Sequence, residues 1–149
     1  MNLALDLGTH ACRSLRGSRS GLAARRSRSL AAWLLDGELQ RNWLERNHVP
    51  YFPCDDHLAL VGDHAEEIAA IFPVPYQDLL CDGKVPFEDS IGRQLIALII
   101  EALLPVTSDD NAVCCFSQPA YGVAAAGANL DLDRRFEFTS RLIRLRGYH

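Results

Sequence analysis

Leu3-Ala4-Leu5-Asp6-Leu7-Gly8-Thr9-His10, followed by Cys12-Arg13-Ser14-Leu15-Arg16, is the stretch on which the reading of the whole chain turns. An apolar run ends in an acid, passes a Gly-Thr turn and resumes as a short segment carrying a cation. The run is continuous, not alternating, so it reads as a strand covered on both faces. Such a strand holds Asp6 rigidly near its end, where a carboxylate can orient a hydrated metal ion. Gly8 permits a sharp turn whose successive N–H groups can face phosphate oxygens. Thr9 offers a hydroxyl to the same oxygens, and Arg13 can reach back as a cation that never titrates.

The composition fits one folded unit. A chain of 149 residues with 48% hydrophobic content buries a sizeable core and is unlike a disordered sequence. A net charge of -4 leaves no general nucleic-acid footprint, so no nucleic-acid partner is expected. Charge is nonetheless uneven: Arg13, Arg16, Arg19, Arg25, Arg26 and Arg28 follow Asp6 with no other acid among them. A solvated hairpin face is the ordinary reading of such a run, and an anion-binding surface is the alternative. No apolar run approaches the roughly 18 residues of a membrane span, and no signal-peptide pattern opens the chain. Five cysteines without a framework spacing point to a reducing, cytoplasmic setting.

Along the chain, segment 3–8, Cys12 to Arg16 and Leu22 to Leu35 read as three strands, separated by the Gly-Thr turn and by Gly17-Ser18-Arg19-Ser20-Gly21. A short helix over Leu39 to Leu44 and an extended Val49-Pro50-Tyr51-Phe52-Pro53 loop come next. His57 to Val61 reads as a strand, and Asp63 with Glu66 has the spacing of a capping box for a helix that Pro73 stops. From about Asp89 to Leu104, Ile91, Leu95, Leu98, Ile99, Ala102 and Leu103 form one apolar stripe at helical spacing. Ala112 to Ser117 reads as a buried strand, and Asp131 as the cap of a final helix with Phe138, Leu142 and Leu145 on its stripe.

Asp6-Leu7-Gly8-Thr9 resembles the first phosphate loop of the actin-like ATPase superfamily, which includes actin, the bacterial rod-shape protein MreB, heat-shock chaperones and many sugar kinases. Two further stretches carry the likeness. Val61-Gly62-Asp63-His64-Ala65-Glu66-Glu67 followed by Asp82-Gly83-Lys84-Val85 looks MreB-like, and the strand ending in Gln118-Pro119-Ala120 resembles the one beside the actin-like nucleotide cleft. The resemblance implies a ribonuclease-H-like α/β domain: a three-stranded antiparallel meander, then helices and at least one further parallel strand. It also implies ATP and Mg²⁺ as ligands. Asp6 would hold Mg²⁺ through water, Gly8, Thr9 and His10 would take the terminal phosphates, and Arg13 would neutralise them. His10 departs from the smaller or amide residue usual there.

Residues 1–149 then correspond to the N-terminal part of an actin-like ATPase domain, with a small insert at roughly 38–85 and the second domain absent. The second Asp-x-Gly loop and the water-positioning residue of that family do not follow, so no catalytic residue is assigned. Three roles are compatible: an ATP/Mg-binding domain without turnover, a non-enzymatic protein-interaction module keeping the half-fold, or part of a small-molecule kinase of the same fold. An unpaired edge at 112–117 predicts self-association or pairing with another protein chain. Cys54-Asp55-Asp56-His57 has two zinc-ligand types at a workable spacing but no second pair, so a turn with a satisfied histidine is the simpler reading. Cys114 and Cys115 point to opposite faces of a strand and cannot ligate together.

Overall fold

The computed structural model describes residues 2–18, 21–80, 88–117 and 128–149, with backbone alone for 18 and 128–133. Asp82-Gly83-Lys84-Val85, Gln118-Pro119-Ala120, Cys81 and Arg19 lie outside those residues. Two four-stranded sheets and four helices make up the described fold. The first sheet takes β1 (Asn2–Leu7), β2 (Ala11–Ser18), β3 (Gly21–Arg28) and β8 (Val113–Ser117) in the order β3-β2-β1-β8. β1, β2 and β3 form the expected antiparallel meander, and β8 lies parallel to β1 with Asp6 paired to Ser117.

β1 is not covered on both faces. Leu3, Leu5 and Leu7 are buried while Asn2, Ala4 and Asp6 are exposed. The continuous apolar run misleads because Ala4 is small enough to sit in the open at little cost, so the strand behaves as a half-buried one.

The predicted third strand breaks at Ser29. There the chain leaves the first sheet: Ser29 N–H donates to the His10 carbonyl at 3.2 Å, and its own carbonyl accepts from Leu79 N–H at 2.8 Å. β4 (Leu30–Leu35) thus belongs to the second sheet, ordered β5-β6-β4-β7 with β5 (Phe52–Cys54), β6 (His57–Val61) and β7 (Tyr76–Asp78). α1 (Glu38–Arg46) and α2 (Asp63–Ile71) complete this unit around Ala32, Leu34, Leu44, Leu58, Leu60, Ala65 and Ile68. Asp63 does not cap α2. Gly62 holds the N-cap position at φ 71°, with Ser27 Oγ crowding the place a Cβ would take, and Asp63 Oδ1 accepts instead from Arg28 N–H at 3.1 Å.

α3 (Ser90–Leu103) is capped by Asp89, whose carboxylate accepts from Ile91 and Gly92 N–H at 3.0 Å each. Its buried line is Gly92, Leu95, Ile96, Ile99, Ile100 and Leu103, rotated from the expected stripe so that Leu98 and Ala102 fall toward solvent. Each of the five large side chains in that line contributes about 1.5–3 kcal/mol by burial. The last-turn carbonyls that every helix leaves open are answered from other elements. Arg146 donates to Glu101 and Leu104, Arg25 to Ala102, and Ser14 Oγ to Leu103 at 3.0 Å. These bonds lash α3 beneath β2 and β3.

α4 (Ala128–Leu145) begins before Asp131 and lies on the same inner face by β8, where Phe136 packs on Phe116 at 5.2 Å. It buries Arg135, Thr139 and Ile143, whereas Leu145 is exposed. After a left-handed Gly147 (φ 88°) the chain returns to the sheet. His149 N–H donates to the Ala112 carbonyl and its carbonyl accepts from Cys114 N–H, both at 2.9 Å. The edge expected to be open at 112–117 is therefore taken at its first half. Association through that edge loses the first half of its template.

Candidate functional site

Because the strands pair in register, the outer face of the first sheet is a lattice of rows. One row runs Ser117, Asp6, Arg13, Arg26 across β8, β1, β2 and β3. Ser117 Oγ donates to Asp6 Oδ1 at 2.7 Å and Arg13 Nη1 donates to Asp6 Oδ2 at 3.3 Å. Asp6 and Arg13 remain about half exposed, so the pair is held by register and not by burial, and its Coulomb energy is largely screened. The site has one acid with both oxygens engaged, a hydroxyl and two cations. Such a set can orient a hydrated metal ion and neutralise a small oxyanion.

Beyond Asp6 the chain passes through Gly8, Thr9 and His10 into β2. Gly8 is required by close approach: a Cβ there would sit 2.8 Å from the Ala11 carbonyl oxygen. The turn is pinned from beneath by Ser29, which is 1% exposed and donates its hydroxyl to the Gly8 carbonyl at 3.0 Å. With the Ser29 N–H on His10, two carbonyls of the turn are drawn to one residue at the junction of the two sheets. Cys12 Sγ lies 3.4 Å from the same hydroxyl, and burial pushes its thiol up despite that bond. Asp6, Gly8, Thr9, His10 and Arg13 thus lie on one continuous corner, with His10 exposed. Sequence reasoning missed Ser29 and Ser117. Neither carries a local signal, since each meets its partner only through sheet pairing or the chain's change of sheet.

The arginine-rich stretch does not form one patch. Arg13 and Arg26 share the outer face, Arg25 turns inward to α3, and Arg28 pairs with Glu66 on α2 at 2.9 Å. Cys54 and His57 are opposed across a two-residue hairpin turn at Asp55-Asp56, with Asp55 at φ 52° and His57 Nδ1 3.2 Å from Asp56 Oδ1. Their spacing is that of a turn, and among the described residues no three His, Cys, Asp or Glu side chains group to hold a metal. Cys114 is buried, its thiol pushed up to about 11 by desolvation, while Cys115 is exposed. Trp43 packs edge-on against Phe72 at 5.8 Å. Among the described residues no helix is long and apolar enough to cross a membrane.

An antiparallel meander joined by a parallel strand, with a second small sheet beside it, is an actin-like arrangement, and one known structure agrees. The structure of the MamK double helical filament is similar over 93% of this chain with a TM-score of 0.53 at 21% sequence identity. A non-polymerising MamK mutant bound to AMPPNP is similar over 92% at 22% identity, with a TM-score of 0.48. This chain spans 38% of the length of each of those chains. No curated protein matches it. Residues 1–149 match the Volactin family, and the chain belongs to that family.

Proposed function

We propose that the corner formed by Asp6, the Gly8-Thr9-His10 turn and Arg13 is the phosphate and Mg²⁺ end of a nucleotide site. On this reading the chain is the nucleotide-binding part of an actin-like protein of MreB-like kind. The observation that carries the proposal is the convergence of Asp6, Ser117 and Arg13 beside a turn that Ser29 holds closed. The donor set fits: Asp6 is open enough to meet the water shell of Mg²⁺, and Arg13 has charge to offer a phosphate. Bound there, ATP and Mg²⁺ would bring the phosphate chain and a cation to screen it. This chain's part is to fix Asp6 by strand register and to hold the turn rigid. Residues 1–149 would then supply one side of a two-sided clamp, with the second sheet as its insert.

Residues 1–149 taken alone leave the ligand in competition with water, so for them an affinity of about 0.1–1 mM and no turnover are expected. Isothermal titration with ATP and Mg²⁺ tests this: the wild type gives saturable heat and Asp6→Ala gives none. Absence of heat in the wild type would refute the proposal. It would favour the second reading, a non-enzymatic interaction module, for which the engagement of both Asp6 oxygens by Ser117 and Arg13 already speaks. Phosphate release that depends on Asp6 would overturn the expectation of catalytic silence.

A further inference from the structure

Below the polar row, the outer face of the first sheet carries two apolar rows. One is Cys115, Ala4, Leu15, Ala24 and the other is Val113, Asn2, Gly17, Leu22, in the same strand order. α3 and α4 occupy the inner face, and among the described residues nothing covers the outer one. Leu15 is 43% exposed, Val113 43% and Leu22 75%. The twist of the sheet hollows this face into a groove of about 610 Å³ lined by Ala4, Asp6, Arg13, Leu15, Arg26 and Cys115 among others. Exposed apolar side chains adjoining an ordered charged row mark a contact surface.

We propose that a second copy of this chain occupies the face, related by a two-fold axis that runs parallel to the strands between β1 and β2. That operation keeps each row at its own level and reverses the strand order, so the contact is isologous. Asp6 then faces Arg13 of the second copy, and Arg13 faces its Asp6. Leu15 lies over Ala4, Ala24 over Cys115, and Leu22 over Val113. A large side chain meets a small one next to the axis, and each acid meets a base. Turning the second copy end for end instead would set the charged row of each chain on the Asn2–Leu22 row of the other, stranding its charges on apolar side chains.

Aligned sheets pack near –30°, so the pairs beside the axis keep their register best, and these are the Asp6–Arg13 and Ala4–Leu15 pairs. The dimer covers the Asp6–Arg13 corner, so it competes with the nucleotide reading for those two side chains, and the test below is run without nucleotide. Three rows about 6.8 Å apart on four strands about 4.8 Å apart cover roughly 400 Å² a side. That is about half a standard interface, which predicts a weak, concentration-dependent dimer.

Sedimentation velocity from about 10 to 500 µM tests this, the range being set by the small contact. The wild type shifts toward dimer, and Leu15→Glu, a change at an exposed position, stays monomeric with an unaltered circular dichroism spectrum. An independent readout uses Ala24→Cys with Cys54 and Cys81 replaced by serine and a short bifunctional maleimide. Within one chain positions 24 and 115 lie on opposite edges, about 14 Å apart across three strand spacings, too far for the reagent. Between copies they face each other, so a covalent dimer forms, and Cys115→Ser in that background removes it. A wild type monomeric throughout the range, a dimeric Leu15→Glu, or no more cross-linking than in the parent that keeps Ala24 overturns the proposal and gives the face to another occupant.

Discussion

Ser29→Ala isolates the contact that fixes the candidate site without touching the site. The hydroxyl is buried and donates to the Gly8 carbonyl at 3.0 Å. The backbone bond from Ser29 N–H to the His10 carbonyl survives the change, and the alanine methyl fills nearly the same space. The main loss is therefore the buried bond to the Gly8 carbonyl, its acceptor left behind, beside the weaker 3.4 Å contact with Cys12 Sγ. Such a loss costs about 1–3 kcal/mol, and because Gly8 is only half-buried, water replaces part of it and about 1–1.5 kcal/mol is expected. In thermal unfolding that is a fall of about 2–6 °C for a domain of this size. Urea titration should show a lower midpoint with an unchanged slope, since the surface exposed on unfolding is the same. Magnesium-ATP heat should also weaken, because the turn loses its support while Asp6 and Arg13 stay in register. A stability change under about 0.3 kcal/mol would mean that the hydroxyl does not hold the turn, and the account of the corner's rigidity would fail.

Two other outcomes follow from the fold. Asp89→Ala removes the side chain that accepts from two N–H groups at the start of α3, and should cost about 1 kcal/mol in urea titration, with Asp89→Ser restoring most of it. Alkaline pH should destabilise the protein: Cys12, Cys114 and Tyr148 are all held protonated in the folded state by burial, Cys114 up to about 11. The unfolded thiols give up their protons first, so stability is full below about pH 9 and falls by about 1–3 kcal/mol as pH rises toward 11. Cys114→Ala should flatten that fall, as read from unfolding midpoints between those pH values.

Periodicity was enough to find α3, whose apolar side chains recur at helical spacing, though not its exact buried face. Leu98 and Ile100 are equally apolar, and only the placement of the sheet decides that Ile100 goes in. Turn chemistry likewise marks the β1–β2–β3 meander, because glycines and serines separate its strands. The break at Ser29 left no such mark, since Arg28-Ser29-Leu30 continues an extended pattern while the chain changes sheets. The Asp63 cap failed for a related reason. A free acid would cap its own helix, but the Arg28 N–H arriving from β3 offers Asp63 a partner that sequence spacing cannot reveal.

The sequence by itself determined the local alphabet of the corner: an acid at a strand end, a glycine that tolerates a 2.8 Å approach, and a cation a few residues on. Those are properties of neighbouring residues, and short-range geometry suffices to express them. Tertiary structure alone decided that Ser117 and Ser29 complete the corner, that His149 closes half of the β8 edge, and that no other described residue covers the outer sheet face. Each depends on groups far apart in the chain meeting through strand register, and no local pattern fixes where such groups will meet.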